Sequence, residues 1–264
     1  MEDTTLAKMK KELEGLNVLA LGDSTFAGDA LGWEYQWINW LASELHWNLT
    51  NLADGGMSIS YREGQAQGSI LHRLFTEEEY RFGGTTAEDA AHPWRYSTEG
   101  ALGKSADDVD LILLTAGFND YGGAGLYARV GELTLENRDT ETYIGAWNVV
   151  LEKLLATYVN AKIVILNQWH LDVAYAATPR GDTITCYEFT NSVARLYQLY
   201  YRENPRMFLL DSGDPEISGC YMMDADFRAR YSRKPDDVFH LNRDGMEIMK
   251  NAMLPLLWRV AVKI

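Results

Sequence analysis

The chain predicts an α/β fold: a single three-layer α/β/α domain over residues 1–264, with helices on both faces of a five-stranded parallel sheet. Three observations predict it. Five short apolar runs end at glycine or polar residues, as buried strands do. Segments with apolar residues at intervals of three and four separate those runs, as helices packed on a sheet require. Polar clusters stand directly after several runs, and ligands bind at the carboxyl ends of the strands in an open parallel sheet.

Taken in order, Leu6, Met9 and Leu13 lie among Lys and Glu, which predicts a short amphipathic helix over 3–14 ending near Gly15. The first strand, Leu16 to Leu21, stops at Gly22-Asp23-Ser24. Leu31, Tyr35, Ile38, Ala42 and Leu45 form the next helical stripe. A second strand, about 47–53, ends at Asp54-Gly55-Gly56, and a helix is expected over 65–80. Residues 81–106 lose all periodicity and read as an insertion loop, of the length that often forms a lid. Asp110–Ala116 is the clearest buried strand and ends at Gly117-Phe118-Asn119-Asp120. A glycine-rich loop reaches Asp139, and Tyr143, Trp147, Val150, Leu151, Leu154 and Tyr158 mark a strong helix. Lys162–Leu166 is the fourth strand, 189–200 a helix and Met207–Leu210 the fifth strand. A loop carries Asp237 and His240; Asn242 then caps a last helix, which Pro255 is expected to kink or end.

Composition narrows the function classes. A formal net charge of −14 disfavours binding to phosphate backbones and to anionic membranes, so no nucleic-acid or membrane partner is expected. The two cysteines, Cys186 and Cys220, show neither metal-ligand spacing nor a disulfide framework. The acidic start of the chain lacks the zones of a signal peptide, and no apolar stretch reaches membrane-spanning length. A cytoplasmic protein is the expectation. There is no glycine-rich dinucleotide or phosphate-loop motif, which disfavours a nucleotide-binding protein.

The polar clusters supply a coherent chemistry. Ser24 is a nucleophile that needs a base. His240 is that base, because imidazole exchanges a proton near neutral pH. Asp237, three residues earlier, orients the imidazole and stabilises its cation; Asp236 is the competing acid. The backbone N–H of Ser24, that of Gly56 and the side-chain amide of Asn119 are candidate oxyanion donors. Spacing from Asn51 selects Gly56 over Gly55.

These blocks resemble the SGNH (GDSL-type) serine hydrolases. Gly22-Asp23-Ser24-Thr25 is similar to the nucleophile block, although Thr25 stands where the family usually has leucine or isoleucine. Asn51-Leu52-Ala53-Asp54-Gly55-Gly56, Gly117-Phe118-Asn119-Asp120 and Asp237-Val238-Phe239-His240 resemble the other three blocks, in the family's order. The resemblance spans residues 22 to 240. It implies a flavodoxin-like sheet, a shallow site, hydrolysis of esters with short acyl groups such as acetyl, and no metal or organic cofactor. A thioesterase or lysophospholipase on longer chains, and a non-catalytic carbohydrate-binding module of the same fold, are the alternatives.

Other residues near the predicted edge are candidates for substrate contact: Asp23, Tyr121, Trp169 and His170. Asp23 also reads as shaping the turn by hydrogen bonds. His170 with Asp172 is the rival His/Asp pair. Trp94, Tyr96, Tyr121 and Trp169 suggest an acylated sugar as the small-molecule substrate, because sugars stack on aromatic faces; loop closure over the core is the competing use of these rings.

Overall fold

The structure is a computed structural model that describes residues 3–27, 36–61, 68–74, 106–123, 127–172 and 184–262. Strands β1 (Asn17–Leu21), β2 (Asn48–Asn51), β3 (Leu111–Leu114), β4 (Lys162–Leu166) and β5 (Met207–Leu210) form one sheet in the order β2-β1-β3-β4-β5. Every neighbouring pair is parallel. The strands β1, β3 and β4 have neighbours on both sides and helices on both faces, so after the leading Asn17 and Lys162 their sequences are unbroken apolar runs. The outer strand β2 is less buried and mixes Asn and Thr with Leu. Its apolar signal is correspondingly weaker, and it is shorter than the predicted 47–53.

Beyond the short α2 (Ser24–Ala27), helix α1 (Asp3–Leu13) packs with α3 (Trp37–Glu44) against the long C-terminal helix, Arg243–Val262. Another group, α4 (Ile70–Leu74), α5 (Tyr143–Thr157) and the paired segments Cys186–Thr190 and Ser192–Leu196, packs together. The layers are therefore helix, sheet, helix. Thr142 caps α5 by accepting from the Gly145 N–H, and α5 buries Tyr143, Trp147, Val150, Leu151 and Leu154 as its periodicity predicts.

Some expectations shift. The single helix over 189–200 is three consecutive pieces, the last a π-helical turn at Tyr197–Tyr201. The C-terminal helix runs through Pro255 instead of ending there; Met253, Leu254 and Leu257 are buried on either side and hold it in place across the missing N–H. The loop leading to Asp237 contains two short helices, Pro215–Ser218 and Ala225–Tyr231, each started by an aspartate side-chain cap. Most of the predicted helix over 65–80, and nearly all of the insertion over 81–106 with Trp94 and Tyr96, lies outside the described residues. Among the described residues, no helix is long and apolar enough to cross a membrane.

Candidate active site

The parallel sheet brings the ends of β1, β2 and β3 together, and backbone hydrogen bonds join their loops. Leu52 N–H donates to Ala20 O at 2.9 Å, Asp54 N–H to Gly22 O at 3.2 Å, and Thr115 N–H to Leu21 O at 3.1 Å. Ser24 starts a single helical turn, Ser24–Ala27, in which the N–H groups of Phe26 and Ala27 donate to Asp23 O. The Gln36 side chain donates to Ser24 O at 2.9 Å and fixes that turn from α3.

Ser24 Oγ lies 2.8 Å from His240 Nε2. On the far side of the ring, His240 Nδ1 lies 3.0 Å and 3.1 Å from the two oxygens of Asp237. Asp237 Oδ1 also accepts the N–H groups of Phe239 and His240, and Oδ2 pairs with the Arg233 guanidinium at 2.9 Å. Partial burial pushes this carboxyl up, but the N–H donors of Phe239 and His240 and the nearby imidazole outweigh it and hold Asp237 below its ordinary range. An ionised carboxylate only accepts, so Nδ1 carries a proton and Nε2 is left to accept from the Ser24 hydroxyl. The expected Asp237 thus faces His240, while no hydrogen bond joins Asp236 to the imidazole among the described residues.

The remaining loops converge beside this line. Asp54–Met57 is a tight turn closed by Met57 N–H to Asp54 O at 3.2 Å. Gly56 occupies it with φ +78, a left-handed conformation that side-chain-bearing residues adopt at a cost. The Asn119 amide donates to Met57 O at 2.8 Å, which fixes the amide plane and leaves its second hydrogen for another acceptor. Asp120 accepts from the N–H groups of Ile59 (3.1 Å) and Ser60 (2.8 Å) and from the Ser60 hydroxyl. The Gly56 turn and Asn119 are therefore clamped to each other through Met57–Ser60.

Asp120 is fully buried, and burial pushes its carboxyl up from 3.8 to about 6 despite the Ser60 and Ile59 donors, with the charge of Asp23 adding to the rise. The folded state holds this proton more tightly than the unfolded state. The stabilisation is therefore complete below the unfolded value and is lost as pH rises through about 6. Urea unfolding of wild type and Asp120→Asn is expected to show the stability difference moving in favour of the variant by about 2 kcal/mol between about pH 4 and pH 7. A pH-independent difference would mean that burial does not raise the Asp120 carboxyl above its unfolded value.

The four candidate contact residues divide. Asp23 is buried; its Oδ1 accepts from the N–H and hydroxyl of Thr25, and its Oδ2 from Gln168. Tyr121 is buried against Phe189, and its hydroxyl donates to Ile184 O at 2.8 Å. Trp169 is buried and donates from Nε1 to Phe239 O at 2.9 Å, bracing the loop that carries His240. These three are packed into the structure. His170 is partly exposed and pairs with Asp211 at 2.8 Å, not with the expected Asp172, because Asp211 follows the adjacent strand β5. Beneath His240 lies a cavity of about 30 Å³, lined by Thr25, Trp37, Phe118, Trp169, Met246 and the imidazole among others. It has room for little more than a water-sized group. Among the described residues, no group of three or more His, Cys, Asp or Glu could hold a metal ion.

Sequence reading missed Gln168 and Arg233. Gln168 stands two residues past the end of β4, at the same sheet edge as the predicted blocks, and that position was its available signal. Arg233 lies four residues before Asp237 with nothing in the sequence to mark it.

No family model and no curated protein sequence matches the chain. Solved structures do match. A Lactobacillus plantarum protein superposes with TM-score 0.61 at 17% identity over 92% of this chain and 97% of its own. A family two carbohydrate esterase from Cellvibrio japonicus gives 0.53 at 15% identity, over 93% of this chain and 61% of that one. A Bacteroides ovatus protein named as a GDSL-like lipase gives 0.51 at 15% identity, over 93% of this chain and all of that one. The chain has the fold of the SGNH hydrolases, as the sequence blocks led us to expect.

Proposed function

We propose that this chain, which has the SGNH hydrolase fold, is a serine hydrolase that cleaves carboxylic esters through an acyl-enzyme. The observation that carries the reading is the continuous hydrogen-bonded line from Ser24 Oγ through His240 to Asp237. In that reading Nε2 takes the Ser24 proton as Oγ bonds to the ester carbonyl carbon. The imidazolium is stabilised by Asp237. Collapse of the tetrahedral intermediate breaks the bond to the alcohol oxygen, which leaves with the proton from Nε2. Water then repeats the sequence on the acyl-enzyme and regenerates Ser24. The oxyanion is held by the N–H groups of Ser24 and Gly56 and the Asn119 amide. The left-handed Gly56 turn and the oriented Asn119 amide support that assignment.

A short acyl group, acetyl above all, is the proposed substrate class. A sugar as the alcohol part of the ester is supported by the likeness to family two carbohydrate esterases, one of them in complex with cellohexaose. It draws no support from Tyr121 or Trp169, which are packed inside. The test is hydrolysis of nitrophenyl acetate, butyrate and octanoate by wild type and Asn119→Ala. Acetate is expected to be turned over best. Loss of one oxyanion donor is expected to lower kcat by about 100- to 1,000-fold with little change in KM. A preference for octanoate would overturn the acyl assignment, and an unchanged kcat in Asn119→Ala would remove that residue from the oxyanion hole.

A further inference from the structure

We infer that Gln168 is a positioning residue that sets the nucleophile loop and the oxyanion loop at a fixed separation, a role that rests on the ester-hydrolase reading above. Gln168 is buried just past the end of β4. Its Nε2 donates to Asp23 Oδ2 at 2.6 Å, and its Oε1 accepts from the Phe118 N–H at 2.6 Å. Asp23 precedes Ser24, and its other oxygen holds the N–H and hydroxyl of Thr25. Phe118 precedes Asn119. One planar amide thus joins the residues flanking the proposed nucleophile to the residue beside a proposed oxyanion donor. It reaches across β3, since the sheet order places β3 between β1 and β4.

The chemistry of the link demands an amide. The Asp23 carboxylate needs a donor and the Phe118 N–H needs an acceptor, and a primary amide presents both from one rigid plane. Burial pushes the Asp23 carboxyl up, while the Thr25 and Gln168 donors oppose the rise. Removing the Gln168 donor leaves a buried acceptor short of a partner, and the loop can relieve that only by moving. The backbone of Gln168 is seated as firmly as its side chain. A Cβ on Gly213 would lie 1.7 Å from Gln168 O and 2.5 Å from its carbonyl carbon, so the loop after β5 presses on it at a distance only glycine permits. Ser24 and Asn119 otherwise lie on separate loops, and a shift of about 1 Å between reacting groups can cost about a hundredfold in rate.

The test compares Gln168→Leu and Gln168→Glu with wild type and with Ser24→Ala on nitrophenyl acetate, using the full chain. Folding is checked by circular dichroism and thermal melting. Gln168→Leu is expected to lower kcat by about 30- to 100-fold while KM stays within about threefold. Gln168→Glu is isosteric but sets a second carboxyl against Asp23, with Asp120, Tyr143 and His240 as the other titratable groups that act on Asp23 or Asp120. When protonated, that variant again donates to Asp23 and accepts from Phe118. Its kcat relative to wild type is therefore expected to recover as pH falls, a response that mere loss of packing does not give.

Gln168→Leu that folds and keeps kcat within threefold of wild type would overturn the inference. So would parallel losses of kcat and melting temperature in both variants with no low-pH recovery in Gln168→Glu. Should Gln168→Leu not fold, the pH response of Gln168→Glu decides alone. Failure of the underlying reading is separate: ester turnover undiminished in Ser24→Ala would remove the ester-hydrolase assignment whatever Gln168 does.

Discussion

Ser24→Ala is expected to lower kcat for nitrophenyl acetate by about a millionfold, the scale seen when the nucleophile of a serine hydrolase is removed. The reason is local. Ser24 Oγ is the atom within 2.8 Å of His240 Nε2, and alanine leaves the base with no proton to take from a nucleophile. The fold is expected to survive. Ser24 is half-buried, its side-chain hydrogen bond is the one to His240, and the turn it starts is held by Asp23 O and by Gln36 through the Ser24 carbonyl. A melting temperature unchanged within a few degrees beside a lost kcat is the expected pair of results. A residual rate within tenfold of wild type would place the reaction elsewhere on the molecule.

Asp237→Asn is the second large effect, about ten-thousandfold in kcat. Asparagine keeps the size of the side chain but replaces an acceptor-only carboxylate. The amide can still accept the N–H groups of Phe239 and His240 at one oxygen. Its NH₂ group, however, would face either the Arg233 guanidinium or His240 Nδ1. Facing His240, it donates to Nδ1 and drives the ring proton to Nε2, the wrong tautomer for accepting from Ser24. KM is expected to change little, because Asp237 acts on the imidazole and not on the ester. Steady-state kinetics of the variant, with proton NMR of the imidazole to assign the tautomer, check both halves. Wild-type kcat in a folded Asp237→Asn protein would show that this carboxylate does not set the tautomer.

Much of the architecture was legible because burial imposes simple patterns. The apolar runs at β1, β3 and β4 are sandwiched between helices, and such strands must be hydrophobic on both faces. The predicted blocks stood after strands, and a parallel sheet brings all strand ends of one sense to one edge. The loops after β1, β2 and β3 therefore share that edge, where those carrying Gly56 and Asn119 are joined through Met57 O, and the loop before the last helix brings His240 and Asp237 into hydrogen-bonded line with Ser24. What was not legible depended on contacts between side chains far apart in sequence. Gln168 is one polar residue after an apolar run until Asp23, 145 positions away, is seen to accept its hydrogen bond. Trp169 reads from sequence either as a sugar platform or as a ring closing the loops, and only the distant backbone of Phe239, which accepts from its indole N–H, shows the second use. His170 chose Asp211 over Asp172 because the strand order, not chain proximity, decides neighbours. The short helices before Asp237 were missed because they carry no long apolar stripe; their aspartate caps were the available signal.

An activated Ser24 nucleophile is detected most directly by covalent capture. Wild type and His240→Ala would be incubated with an alkyl fluorophosphonate, which reacts with activated serines, and each protein digested and mapped by mass spectrometry. A single adduct on Ser24, formed with loss of fluoride, is expected in wild type, with a far slower reaction in His240→Ala. An adduct on another residue, or ester turnover by a wild-type enzyme that the reagent never labels at Ser24, would contradict it.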